Sequence, residues 1–128
     1  MSVRPIRLLV VDDHPAARSA LVGLLRSEPD VSIVGQAADG KEALRQLVPS
    51  EPEVVLMDVR MPVLDGVATA QIIREEFPQV DVVGMSVGPE DADAIAMCRA
   101  GAVTCVPKGD LRRMLEAIRD CRGRRRAA

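Results

Sequence analysis

A chain of 128 residues that is 48% hydrophobic is long enough for one buried core, and 17 Lys and Arg against 19 Asp and Glu, a net charge of −2, exclude a general nucleic-acid binder and a membrane-surface protein. With Phe77 as the only aromatic residue, recognition of single strands by base stacking is excluded as well. Cys98, Cys105 and Cys121 form no CxxC pair and are odd in number, the pattern of free thiols in a reducing compartment; without a run of about 18 apolar residues or a signal-peptide layout, a soluble cytoplasmic chain is expected.

Ile6 to Val11 is apolar apart from Arg7 and predicts a short strand buried on both faces, ended at once by Asp12 and Asp13. Pro15 suits the first turn of a helix whose Ala17, Ala20, Leu21, Leu24 and Leu25 repeat at helical spacing until Pro29. Val31 to Ala37 predicts a second strand. Asp39 and Glu42 make a capping-box-like start to a helix carrying Ala43, Leu44 and Leu47, closed by Pro49 and Pro52. Val54 to Met57 forms a third strand, followed by a helix with Asp65 as N-cap, Val67, Ala70, Ile73 and Phe77 on one face, and Pro78 at its end.

Val80 to Met85 predicts a fourth strand, Pro89 to Ala100 a fourth helix stopped by Gly101, and Val103 to Val106 a fifth strand. Asp110 caps a last helix with Leu111, Leu115 and Ile118 on its apolar face. The chain then finishes in Arg122, Gly123, Arg124, Arg125 and Arg126, a solvated basic tail or the start of a linker, so a domain of residues 1–121 and a tail of 122–128 are expected. Strands and helices in strict alternation imply an α/β, doubly wound, five-stranded parallel sheet with helices on both faces, since parallel neighbours need crossover connections. In the flavodoxin-like order 2-1-3-4-5 the first and third strands meet at the topological switch point, where ligands bind beyond the strands' carboxyl ends.

At those ends the sequence places Asp12, Asp13 and Asp58. Crowding three carboxylates raises at least one pKa unless a cation relieves the repulsion, and Mg²⁺, which takes one or two carboxylates with waters and a phosphate oxygen, suits the set. Ser86 and Lys108 end the fourth and fifth strands and add a hydroxyl and an ammonium. Metal, lysine and hydroxyl together meet the needs of phosphoryl transfer, in-line positioning and neutralised oxygen charge, with Asp58 as nucleophile. His14 is expected to be a loop or cap residue rather than a ligand, and the capping role of Asp65 explains that residue fully.

LLVVDDHP at Leu8 to Pro15, VVLMDVRMPVLDG at Val54 to Gly66, Ser86 and Lys108 occur in the order and spacing of the response-regulator receiver family, which the chain resembles from Ile6 to about Cys121. The VDDHP and MPVLDG wording is most similar to the NarL/FixJ subfamily. The resemblance implies a phosphoacceptor signalling domain that catalyses only its own phosphorylation and dephosphorylation. Asp13, Asp58 and the carbonyl of Arg60 would ligate Mg²⁺ directly, Asp12 would hold metal-bound water, and Ser86 and Lys108 would bind the phosphoryl group. It also implies a sensor histidine kinase as donor, a DNA-binding output domain that this chain lacks, no membrane or direct nucleic-acid contact, and compatibility with a homodimer.

Three positions depart from the family pattern. Cys105 stands where a Tyr or Phe ring usually reports phosphorylation, Val87 where Ala or Gly leaves access open, and Gly109 where Pro often follows the lysine across a cis peptide. Cys105 and Val87 suit an alternative, a phosphorylation-independent interaction module with a receiver-like fold. A second alternative, an aspartate-nucleophile phosphohydrolase, normally has a DxD arrangement, whereas Asp12 and Asp13 are adjacent.

Overall fold

The five apolar runs become strands β1 (Ile6–Val11), β2 (Val31–Ala37), β3 (Val54–Asp58), β4 (Asp81–Ser86) and β5 (Thr104–Pro107). They alternate with helices α1 (Pro15–Leu25), α2 (Gly40–Ser50), α3 (Gly66–Glu76), α4 (Ala92–Ala100) and α5 (Leu111–Ala127). The computed structural model describes residues 4–88 and 91–127, so Pro89, with which the sequence pattern begins the fourth helix, lies outside the described residues. All neighbouring strands pair in parallel, and their order is β2-β1-β3-β4-β5, as the alternation predicts. None of the helices among the described residues is long and apolar enough to cross a membrane.

Because successive strand side chains point to opposite faces, each central strand feeds two cores. Ile6, Leu8 and Val10 of β1 and Val54 and Leu56 of β3 pack with Val22 and Leu25 of α1 and Met114 and Ile118 of α5. Leu9, Val11, Val55 and Met57 instead meet Ala43 and Leu47 of α2, Ala70 and Ile73 of α3 and Met97 of α4. Burying one such Leu or Met side chain contributes roughly 1.5–3 kcal/mol, and a slip of one residue would exchange the two sets. Register is therefore pinned from both faces. The β1–β3 pairing ends with Val11 opposite Met57, and the same offset carried one residue further sets Asp12 level with Asp58.

Side-chain caps start four helices. Asp39 accepts from the Glu42 N–H at 2.8 Å while Glu42 reaches back to the Ala38 N–H at 3.4 Å; Asp65 accepts from Ala68 at 2.8 Å, Asp91 from Asp93 at 2.9 Å and Asp110 from Arg113 at 3.1 Å. Pro49 does not end α2 but sits in its last turn. There the Ser50 hydroxyl donates to the Gln46 carbonyl at 2.5 Å, and Glu51, left-handed at φ 47°, closes the helix by donating to Leu47 at 3.1 Å. β4 starts at Asp81 rather than Val80, whose N–H turns back to the Phe77 carbonyl at 2.9 Å.

The last helix continues past residue 121, the expected edge of the domain. Arg119 holds Asp30 at 2.7 Å and Glu28 at 2.8 Å, and Arg122 holds Glu53 at 2.6 Å while also donating to the Arg4 carbonyl.

The chain between Asp58 and α3 is tight. Gly66 starts α3 so close to β3 that a Cβ there would stand 2.4 Å from the Asp58 carbonyl oxygen and 2.9 Å from Val59 Cα. Both obstacles are backbone. Gly66→Ala should therefore cost about 1–3 kcal/mol in urea unfolding, and an unchanged midpoint would mean that α3 can recede without penalty.

Three residues before Gly66, Val63 has φ 68°, and the Leu64 N–H donates to the Pro62 carbonyl at 2.8 Å across it, a γ-turn centred on a β-branched residue. Since Val63 is 76% exposed, its side chain contributes little packing to offset that strain. Val63→Asn should raise stability by about 1 kcal/mol by the same measurement, and a loss would show that the valine contributes packing in the folded state.

Candidate functional site

Asp12 follows β1 directly and is 1% exposed, and Asp58, the last residue of β3, is 6% exposed. Burial of two acids at neighbouring strand ends requires compensation, and it comes from the residue after β5. Lys108 Nζ lies 2.6 Å from Asp58 Oδ2 and 3.2 Å from Asp12 Oδ2. Its backbone N–H donates to the Ser86 carbonyl at 2.7 Å, which fixes the base of the side chain beside β4. The remaining oxygens are held locally: Asp58 Oδ1 accepts from the Arg60 N–H at 3.0 Å, and Asp12 Oδ1 from the His14 N–H at 3.0 Å.

The ammonium's proton is held more tightly than usual. Burial works against the charge, but the hydrogen bond and charge of Asp58, followed by those of Asp12, outweigh it and raise the Lys108 pKa. A raised lysine pKa means that the stabilisation is fully present below the unfolded value of 10.5 and is lost only as pH rises through the folded one. The counterion is thus constant across the neutral range.

Asp13 completes the acidic group. Its Oδ1 is buried and has no hydrogen-bond partner, although His14 Nδ1 is 3.2 Å away in a geometry that gives charge pairing only when the imidazole is protonated. Asp12, Asp13, His14 and Asp58 each offer one ligand atom, all within 4.8 Å of one another. A buried, unpartnered carboxylate oxygen among further carboxylates fits a hard divalent cation such as Mg²⁺. His14 is the N-cap residue of α1, makes no side-chain cap bond, and is 69% exposed, in keeping with the loop or cap position expected of it.

Ser86 is 3% exposed at the end of β4, and its hydroxyl donates to the Gly88 carbonyl at 3.0 Å rather than to a site carboxylate. That turn carries Val87 outward. At 78% exposure Val87 projects into solvent. All peptide bonds among the described residues are trans, and Gly109 follows Lys108 with φ 93°.

The guanidinium of Arg60, whose carbonyl is expected at the metal, turns toward the start of α4. Its Nε lies 2.6 Å from Asp93 Oδ2 and its Nη2 3.0 Å from Asp91 Oδ1. Sequence reasoning missed this bridge, because Asp91 and Asp93 lie 31 and 33 residues from Arg60 and meet it only once β3 and β4 are neighbours. Arg18 was missed too: its Nη1 donates to the Asp12 carbonyl at 2.6 Å from the first turn of α1.

Residues 8–119 match the family model described as the response regulator receiver domain. Among curated proteins, the chain is 37% identical over 115 residues to the response regulator GacA of Pseudomonas viridiflava, covering 89% of this chain and 54% of GacA. It is 44% identical over 105 residues to protein-glutamate methylesterase/protein-glutamine glutaminase 3 of Anaeromyxobacter dehalogenans, covering 80% of this chain and 30% of that protein. The chain therefore spans about half of one relative and under a third of the other. Among solved structures, the signal receiver domain of Mycobacterium tuberculosis NarL superposes with a TM-score of 0.85 at 32% identity, covering 93% of this chain and 97% of that one. The sheet order, the paired acids at the strand ends and these similarities lead to one assignment: the chain belongs to the response-regulator receiver family, as a phosphoacceptor domain of two-component signalling.

Proposed function

We propose that Asp58 is the residue that accepts the phosphoryl group, that Ser86 and Lys108 hold it, and that the phosphohistidine of a sensor kinase supplies it. The observation that carries this reading is the Lys108 ammonium, 2.6 Å from Asp58 and 3.2 Å from Asp12 at the mouth formed by β1, β3 and β5. Asp13, Asp58 and the Arg60 carbonyl would hold Mg²⁺, with Asp12 reaching it through water. When bound, the ion supplies positive charge for the crowded carboxylates and the phosphoryl oxygens.

The chain's own groups account for the rest of the step. An Asp58 carboxylate oxygen attacks phosphorus as the bond to the donor nitrogen breaks, and Lys108 neutralises charge on the phosphoryl oxygens without a change of protonation. The Ser86 hydroxyl, released from the Gly88 carbonyl, turns to donate to one of those oxygens. Arg18 holds the Asp12 backbone in place through its carbonyl. The setting is the cytoplasm, and the partner that reads the phosphorylated state is an output domain of the DNA-binding kind. The charge balance of −2 leaves nucleic-acid contact to that domain.

Incubated with Mg²⁺ and acetyl phosphate, the protein should gain one phosphoryl group by intact mass, and Asp58→Asn should gain none. An adduct persisting in that variant would move the acceptor elsewhere, while none in the unmodified protein would favour the phosphorylation-independent module.

Asp13→Asn should weaken Mg²⁺ binding by about tenfold or more in calorimetric titration. In chelator-containing buffer the same variant should be more stable by about 1 kcal/mol, since it removes one of three crowded negative charges. Unchanged affinity would place the ion away from Asp13.

A further inference from the structure

Two of the three cysteines meet on the face of the sheet covered by α4. Cys98, exposed in the last turn of α4, and Cys105, half-buried on β5, have their Sγ atoms 3.9 Å apart. The Cys105 thiol donates to the Ala94 carbonyl of α4 at 3.6 Å. It is seated there by β4: a Cβ at Gly84 would lie 2.5 Å from its sulfur, so the bare glycine makes the room that the thiol fills. Cys121 is 1% exposed in the core on the opposite face and has no part in the pair.

We propose that Cys98 and Cys105 form a redox-modifiable dithiol, which a hydroperoxide oxidises to an intramolecular disulfide that staples α4 to β5. The sulfurs must close from 3.9 Å to about 2.0 Å, and side-chain rotation of Cys98 on the solvent side supplies the movement. The closed loop spans only the segment from residue 98 to residue 105, so the bond restrains little of the unfolded chain and its effect is local to α4 and β5.

The two thiols differ in role. Burial, and next the neighbouring Cys98, push the Cys105 thiol well above its ordinary pKa, which leaves the exposed Cys98 as the group that meets the oxidant. The Cys98 thiolate attacks one peroxide oxygen: an S–O bond forms, the O–O bond breaks, and the departing oxygen leaves as water or alcohol after taking a proton. Cys98 is then a sulfenic acid. The Cys105 sulfur attacks the Cys98 sulfur, the S–S bond forms as the S–O bond breaks, and the departing hydroxide takes the Cys105 proton to leave as water. Two thiols lose two electrons in all, and the hydroperoxide gains them.

The staple joins the two arms that flank Asp58. The N-terminus of α4 is bridged to Arg60, and β5 runs into Lys108 three residues after Cys105. Any effect on phosphorylation rests on the reading of Asp58 given above, whereas the disulfide itself does not.

The reduced full chain is treated with hydrogen peroxide, denatured, alkylated and mapped by mass without reduction. The expected product has lost two hydrogen atoms, carries a Cys98–Cys105 cross-link reversed by dithiothreitol, and has Cys121 alkylated. Amide hydrogen exchange over residues 92–100 should slow about threefold or more in the oxidised protein. Cys105→Ser should instead take Cys98 to higher oxyacids or to a dimer linked through it, and Cys98→Ser should leave Cys105 reduced. The same Cys98-only products in the unmodified protein would overturn the dithiol, and a cross-link without slower exchange over α4 would overturn the staple.

Discussion

The site depends on one ammonium placed between two buried carboxylates. Asp58 and Asp12 end adjacent strands at the same level, where each taken alone would be an ionised group removed from water with no compensation. Lys108 answers both at 2.6 and 3.2 Å, and it can do so because β5 lies at the far side of β4 and places the residue that follows it beside the Ser86 carbonyl. Asp13 is left outside this pairing, with one buried oxygen unpartnered. The arrangement therefore carries a surplus of negative charge that a divalent cation suits and that a second lysine would have cancelled.

The sheet supplies the placement. Alternate residues of β1 and β3 fill opposite cores, so neither strand can slide by one residue without moving apolar side chains to the wrong helices. Residues 12 and 58 inherit their positions from that constraint, because they are the first polar residues after runs that cannot shift. Gly66 adds a second constraint from outside the sheet: α3 begins in contact with the Asp58 and Val59 backbone, which leaves the Asp58 main chain no room on that side.

Much of this was legible in the sequence. The five strands, the capping roles of Asp39, Asp65 and Asp110, and the strand-end positions of Asp12, Asp58, Ser86 and Lys108 follow from local pattern, where period and punctuation act over a few residues. The resemblance to receivers then named the chemistry. What could not be read depends on side-chain direction or on distant pairing. The outward turn of Val87 is set by the Ser86 hydroxyl bonding to Gly88, the bridge from Arg60 to Asp91 and Asp93 crosses from one βα loop to the next, and the persistence of α2 through Pro49 rests on a hydroxyl donating back to Gln46. Arg122 reads as part of a basic tail because its partner, Glu53, is 69 residues away.

Two different pairings flank Asp58, one to Lys108 and one that Arg60 carries to α4. On one side, Lys108 meets two carboxylates that are almost wholly buried, and breaking such contacts strands a charge in a poor solvent. On the other, Arg60 is 62% exposed and divides between Asp93, 45% exposed, where water and salt screen the pairing, and Asp91, whose side chain is 4% exposed. Beneath that bridge, Ala94 and Met97 are buried and hold α4 against the sheet. The hydrogen bond to Asp93 and the charges of Asp91 and Asp93 do most to hold the Arg60 proton and Asp58 adds least, so a phosphoryl group on Asp58 would strengthen the weaker of two opposed pulls on the guanidinium.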